Sequence, residues 1–194
     1  TAAHGDETAA DLAERLVELT NSSLGPDDQL VKGIGDAVML VSDTPADALA
    51  LAGRICHLAD HEPAFPLLRI GLHHGPVVER NHDWFGNTVN IAARLASRAE
   101  PGQVLGSTSV TEAATRAGMD VTDLGPTHLR GAPEPVTLHA MTPCPTEPNR
   151  AIDPVCMMAV DPARAAATRA RDDASYTFCS SACADLFDAE GTTR

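Results

Sequence analysis

Three prolines fall within nine residues, Thr142-Pro-Cys-Pro-Thr-Glu-Pro-Asn-Arg150, and this stretch limits the fold more than any other feature of the chain. It favours an extended, semi-rigid spacer and marks a domain boundary. The 194 residues divide there into a part at 1–141, the size of an ordinary globular domain, and a tail at 151–191, with residues 142–150 as linker. A domain of about 40 residues rarely folds without a metal or a disulfide to support its small core. The tail carries three of the five cysteines, Cys156, Cys179 and Cys183.

Charge narrows the function classes. The net charge is −13, with 14 Lys plus Arg against 27 Asp plus Glu, and aromatic residues make up 3%. A nucleic-acid binder wants clustered cations and stacking platforms, so that class is disfavoured. Any anion must be held by a few placed cations, not by a bulk field. The only lysine is Lys32. No apolar run approaches the roughly 18 residues needed to cross a bilayer. The expectation is a soluble, cytoplasmic chain. It opens at Thr1, without Met, in sequence that already reads as a helix. It is therefore expected to be a fragment, with regulatory domains or membrane attachment upstream left open.

In the first part, Leu12, Leu16 and Leu19 recur at helical spacing over 7–20. Gln29 to Ile34 and Ala37 to Val41 read as strands joined by a tight Gly35-Asp36 hairpin. Pro45 opens a helix that turns Leu49, Ala52 and Ile55 inward. Leu67 to Leu72 reads as a strand, and Val77-Val78 as another. A helix runs from Asn87 to about Ala99, where Pro101-Gly102 follows. Strands near 103–106, 119–123 and 135–141 and a helix near 109–117 complete an interleaving of helices with strands that is α/β or α+β. His73-His74 are adjacent on a strand end and point to opposite faces, which disfavours a metal pair. Cys56, Met39 and Trp84 read as packing residues.

Asn90 and Arg94 leave one face of the helix that starts at Asn87, and a phosphate ester near its start would meet free N–H groups and an Arg fork. An ordinary solvated helix face would show the same spacing. The longer string Asp83-Trp-Phe-Gly-Asn-Thr-Val-Asn-Ile-Ala-Ala-Arg-Leu95, together with Val31-Lys-Gly-Ile-Gly-Asp-Ala-Val-Met39, resembles the catalytic domain of class III adenylate and guanylate cyclases, over about residues 1–141.

The resemblance implies a ferredoxin-like α+β sandwich and a lyase that converts ATP to cyclic AMP and pyrophosphate in signal transduction. It implies Asp36 as one of two aspartates that hold Mg or Mn, a sensible hard ligand on a tight turn. It implies Lys32 and Asp83 as the pair that reads adenine; guanine presents the opposite donor and acceptor pattern, so ATP is expected over GTP. It implies Asn90 on the ribose and Arg94 on the α-phosphate as the 3′ oxygen attacks in line. Arg130, in His-Leu-Arg-Gly, stands where the family usually has a Lys for the terminal phosphates. A homodimer is implied, with the metal aspartates of one copy facing the base-reading and Arg residues of the other. The family's first metal aspartate lies in a string of the type Phe-x-Asp-x-x-Gly-Phe-Thr, on a strand before the first helix, and no such string occurs here. Asp6 and Asp11 read as helix-start and surface acids. The chain by itself is therefore expected to lack a central strand and one metal ligand, and to have little or no activity.

In the tail, Cys179 and Cys183 are four apart where a helix begins, so their sulfurs lie on one side, and three thiolates could converge on a soft ion such as Zn or Cu(I). Three reduced core thiols, or a Cys179–Cys183 disulfide near the outer limit for bridging, are the alternatives. Asp153-Pro-Val-Cys156 and Tyr176-Thr-Phe-Cys-Ser-Ser-Ala-Cys-Ala-Asp-Leu-Phe187 resemble the YHS domain, a small module thought to bind metal through such cysteines. Met157 stands where that module has Gly. No histidine follows His139, so a fourth ligand must be water, Asp153 or a Met. Cys144, between prolines, reads as incidental. The preferred reading is an adenylate cyclase fused to a metal-responsive module. The alternative is a non-catalytic cyclase-like scaffold carrying a metal-binding or metal-sensing YHS module.

Overall fold

The computed structural model describes residues 5–142 and 150–191. The predicted linker therefore lies, apart from Thr142 and Arg150, outside the described residues, and so does Cys144.

Helix α1 (Gly5–Ser23) buries Leu16 and Leu19 on the predicted face. They pack against Ala59 and Phe65, with Leu12 partly covered. Helix α2 (Pro45–His61) starts at Thr44, whose side chain accepts from the Asp47 N–H, with Pro in the first turn where its missing donor costs nothing. Arg15 forks onto Glu62 at 2.9 and 2.7 Å and ties α1 to the end of α2. Between the helices, β1 (Asp28–Ile34) and β2 (Ala37–Ser42) pair antiparallel. Gly35 has φ +62°, which suits a two-residue turn with Gly first. The Asp28 carboxylate accepts from Arg54, Ser42 and the Gly25 N–H, which fastens this hairpin to α2.

The predicted strand at 67–72 narrows to β3 (Ile70–Leu72). Beyond it the strand expected at Val77-Val78 appears as β4 (Val78–Arg80), in a hairpin with β5 (Asp83–Phe85), a partner that the sequence pattern did not show. Its turn, Asn81-His82, has φ of 53° and 61°. That is the left-handed pair a type I′ turn needs, made here without glycine. Then follow α3 (Asn87–Arg98), β6 (Val104–Ser107), α4 (Thr108–Arg116), β7 (Val121–Thr127) and β8 (Val136–Met141).

One mixed sheet runs in the order β3-β6-β8-β7, with β3 parallel to β6 and the other pairs antiparallel. Adjacent residues of β6 serve opposite faces. Leu105 joins Ile91, Leu95 and Leu138 under α3, while Val104 joins Leu49, Val110 and Met141 under α2 and α4. α3 rests directly on β3 at Gly71, where a Cβ would lie 2.2 Å from the Ala92 oxygen and the Ala96 nitrogen. The β1–β2 hairpin forms its own two-stranded sheet. The expected α+β architecture is thus present, with its strands in separate sheets.

The tail contains β9 (Ala151–Ile152) paired with β10 (Ala159–Val160), a single 3-10 turn, β11 (Ala167–Arg171) paired with β12 (Ala174–Phe178), and α5 (Ser181–Gly191). Its core is Phe178, Cys183, Ala184 and Phe187. The Arg171 guanidinium lies 3.6 Å from the Phe187 ring centre, so a cation covers the edge of this small core. Among the described residues no helix is long and apolar enough to cross a membrane.

Candidate functional site

Lys32 and Asp83 meet, although 51 residues separate them, with Nζ donating to Oδ2 at 2.5 Å. The local cause is a bulge. Residues 29 and 32 of a regular strand point to opposite faces. The register shift between Leu30 and Lys32 makes Val31 an extra residue, so Gln29 pairs with Val41 and Lys32 with Met39, on one face. Both then reach the β4–β5 hairpin: Lys32 at Asp83, and Gln29 through Oε1, which accepts from Trp84 Nε1 at 3.3 Å. Trp84 is thus more than a packing residue. The Phe85 ring centre lies 6.0 Å from Nζ. The Lys32 ammonium, helped by the Trp84 N–H, holds the Asp83 carboxyl below its usual range.

Asp36 sits exposed at the β1–β2 turn, and Asn90 and Arg94 are exposed one turn apart on α3. The start of α3 is open: its N-cap is Gly86, at φ 143°, with no side-chain cap. First-turn N–H groups without a capping side chain favour an anion. Arg130 is exposed in the loop between β7 and β8. The neighbouring Leu129 is buried in the cluster of Ile91 and Leu95 and ties that loop to α3. Within one chain, then, the structure joins Lys32 to Asp83 and places Asn90, Arg94 and Arg130 around α3. Asp36 offers one carboxylate for a hard cation, which fits a site that also draws oxygens from substrate phosphates.

His73 Nδ1 meets Ser107 Oγ at 2.6 Å, and the His74 N–H donates to Ser109 Oγ, so both brace the start of α4. Burial, then His74, keeps the His73 imidazole below its ordinary range.

In the tail, Asp153, Cys156, Cys179 and Cys183 bring their ligand atoms within 4.8 Å of one another. A tetrahedral Zn with Zn–S bonds of about 2.3 Å spaces its sulfurs by about 3.8 Å. The sulfurs here are 3.4 Å apart for Cys156 and Cys179 and 3.8 Å for Cys179 and Cys183, so the donor set fits a soft ion. Both spacings exceed the roughly 2.05 Å of a disulfide bond. Asp153 is fully buried. Its Oδ1 accepts from the N–H groups of Val155 and Cys156, and its Oδ2 from that of Cys179. A carboxylate has about four acceptor sites, and the Cys179 thiol takes the fourth, a place that a metal would take over once that thiol is deprotonated. Burial would raise this carboxyl, but the three N–H groups and the Cys179 thiol outweigh it and hold it below the usual range. Burial pushes the Cys156 thiol up to about 11, and burial with Asp153 pushes Cys179 higher still. Met157 has φ +62°, the conformation that glycine adopts without strain.

A profile of the adenylate and guanylate cyclase catalytic domain matches residues 10–142. The chain is 40% identical over 129 residues to a pH-sensitive adenylate cyclase of Mycobacterium tuberculosis, a match covering 64% of this chain and 32% of that protein. It therefore spans about a third of that relative's length. Adenylate cyclases from Trypanosoma brucei in their monomeric state superpose with a TM-score of 0.59 at 25% identity, covering 70% of this chain and 80% of theirs. An adenylate/guanylate cyclase/hydrolase from Silicibacter pomeroyi superposes with a TM-score of 0.55 at 28% identity, covering 70% and 81%.

Proposed function

The chain belongs to the adenylate and guanylate cyclase catalytic domain family, and on that premise we propose that residues 1–141 are the greater part of an adenylate cyclase catalytic domain. The reaction is attack of the ATP 3′-OH on the α-phosphate, which gives cyclic AMP and pyrophosphate. The observation that carries the choice of ATP is the Lys32–Asp83 pair on its bulged strand. Adenine offers a ring nitrogen that accepts and an exocyclic amine that donates. Lys32 donates to the first and Asp83 accepts from the second, so the base replaces a mutual ion pair with two satisfied hydrogen bonds. Guanine would leave like facing like, which costs about 1–3 kcal/mol per mispaired group.

Asn90 then holds the ribose, and Arg94 faces the charge that grows on the α-phosphate, where positioning and neutralisation matter more than covalent help. Arg130 holds the terminal phosphates. Asp36 takes one carboxylate's share of Mg or Mn, ions that neutralise the attacking and leaving oxygens when bound. Exposed Ile34, Val78 and Phe85, beside Lys32 and Asp83, supply an apolar surface for a second copy of the chain. The tail is a YHS-like module that holds Zn or Cu(I) through Cys156, Cys179 and Cys183, with Asp153 as fourth ligand. The sequence holds no Phe-x-Asp-x-x-Gly-Phe-Thr string to supply a second aspartate beside Asp36, so the 194-residue chain by itself has little or no turnover.

The test is cyclic AMP and cyclic GMP formation with Mg or Mn, by the chain alone and by a longer form that supplies a second metal aspartate. Turnover of ATP over GTP by the longer form, with the preference reduced about tenfold in Lys32→Ala, is the expected result. Preference for GTP, or robust turnover by the chain alone, overturns the corresponding part. The reading as a non-catalytic scaffold rests on one observation: among the described residues, the metal-capable cluster is the cysteine group and does not include Asp36. A longer form with both aspartates and no turnover would establish it.

A further inference from the structure

The loop Asp153–Met158 touches two things at once. Inward it presents Cys156 to the other cysteines, and outward it pairs with the first part of the chain. The Leu67 N–H donates to the Met157 carbonyl at 3.1 Å, and Pro66 and Met158 form an antiparallel bridge. The edge that receives the loop can be identified. The Ile70 N–H donates to Gln103, and the Leu68 carbonyl accepts from the Gly102 N–H, so the even-numbered residues of this strand face β6. In an extended backbone the odd-numbered ones face the other way. Leu67 therefore offers its N–H on the edge away from β6, and the tail adds to the sheet at an edge that pairs with no other strand among the described residues. The first residues of the predicted strand at 67–72 thus bond on both sides, Leu68 to Gly102 and Leu67 to the tail.

The loop moves as one unit. The Met157 N–H donates to the Asp153 carbonyl at 2.8 Å, and the Asp153 N–H to the Met158 carbonyl at 2.9 Å. The Asp153 carboxylate holds the N–H groups of Val155 and Cys156. Cys156 cannot change its direction without moving the Met157 carbonyl. A single hydrogen bond and a bridge form a weak tether, and Ala159 beside Phe65 and Leu67 lines only a small cleft.

We infer that metal capture by the cysteine centre and docking of the Asp153–Met158 loop on the Leu67 edge are one coupled equilibrium, in which each strengthens the other. The inference rests on the reading of the tail as a metal module. Its consequence reaches the candidate catalytic helix, because the strand that receives the loop continues into β3, on whose Gly71 α3 rests.

The experiment uses the 194-residue chain with Co(II) as probe, since thiolate-to-cobalt absorption reports binding directly, and amide hydrogen exchange as second readout. Saturating Co(II) is expected to slow exchange at Leu67 about tenfold, within the usual range of coupling between sites. Exchange at Gly102, bonded on the opposite edge, stays unchanged, and Cys179→Ser abolishes the effect. Coupling is reciprocal. Leu67→Pro, which removes the donor, therefore weakens Co(II) binding about tenfold relative to Leu67→Ala, which keeps it. Absence of thiolate–cobalt absorption removes the metal reading and the coupling with it. Normal Co(II) binding with unchanged Leu67 exchange, or equal affinity in the two Leu67 variants, overturns the coupling alone.

Discussion

Lys32 and Asp83 meet at an exposed surface from two hairpins, whereas Asp153, Cys156, Cys179 and Cys183 converge within a module about a fifth the size of the whole chain. The contrast separates two ways of building a site. An exposed ion pair contributes about 0–1 kcal/mol to stability, so the first region answers to its ligand and scarcely to its fold. The buried carboxylate with three N–H donors is part of what holds the tail together, so there fold and ligand are hard to separate. Substitutions in the first region are expected to change chemistry while leaving the transition intact, and substitutions in the second to change both.

The largest effect belongs to Arg94. It is exposed on α3, and neither Leu95 nor Ile91 beneath it needs its charge. In the longer form that supplies a second metal aspartate, Arg94→Ala is expected to lower cyclic AMP formation about 10²- to 10³-fold, the usual loss when one positioned donor to a developing anion is removed. The denaturant midpoint should not move. A normal rate, or a lost rate accompanied by a shifted midpoint, would break the division between the regions at its strongest point.

Asp153 and Lys32 sharpen it from the stability side. Asp153→Ala strands the N–H groups of Val155, Cys156 and Cys179, and an unsatisfied buried donor costs about 1–3 kcal/mol. A loss of about 3 kcal/mol from the tail is expected, together with loss of Co(II) uptake. Lys32→Ala should change the stability of the first part by less than about 1 kcal/mol. The chain carries one Trp and one Tyr, Trp84 in the first part and Tyr176 in the tail, so their fluorescence follows the two regions separately.

The unequal legibility of the two regions has the same origin. The strings at 31–39 and 83–95, the Gly35-Asp36 turn and the Asn87 helix could all be read locally, because turns and amphipathic periods are local. The bulge at Val31 could not: it is a register relation between β1 and β2, and an alternation of period two does not say where an extra residue sits. The β4–β5 hairpin hid because its Asn81-His82 turn lacks the usual glycine. The contact of Pro66 and Leu67 with the tail depends on partners some 90 positions away, beyond any window of pattern. In the tail, the spacing of Cys179 and Cys183 foretold their approach to 3.8 Å, since spacing by four around a helix start is again local. Asp153 was visible as a candidate fourth ligand, yet its bond to the Cys179 N–H, 26 residues on, was not.

Acid separates the regions more gently. The His73 imidazole, half-buried at Ser107, is held below its ordinary value. Below about 6.5 the unfolded chain therefore takes up a proton that the native state refuses, and stability falls with pH. Asp153 is held below the usual carboxylate range, so its contribution is complete above about 3.9 and is lost only as pH drops through the lower native value. On going from pH 7 to 5 the Trp84 transition should weaken while the Tyr176 transition, in the metal-free chain, holds. His73→Asn should flatten the Trp84 profile; an unchanged slope would assign the pH dependence elsewhere.

Met157 gives the smallest expected change. Its φ of +62° puts a Cβ-bearing residue in the left-handed region, at a cost of about 1–2 kcal/mol. Met157→Gly removes that cost, while the added freedom of glycine in the unfolded chain returns about 0.5–1 kcal/mol. The side chain is 37% exposed, so little packing is lost. A net gain of about 0.5 kcal/mol in the Tyr176 transition follows, with Trp84 unaffected. A loss of stability would mean that the Met157 side chain contributes more than its backbone costs. Because the carbonyl that receives the Leu67 N–H belongs to this residue, a relaxed loop should also protect the Leu67 amide slightly more, and faster exchange there would show that the strained conformation is itself selected by docking.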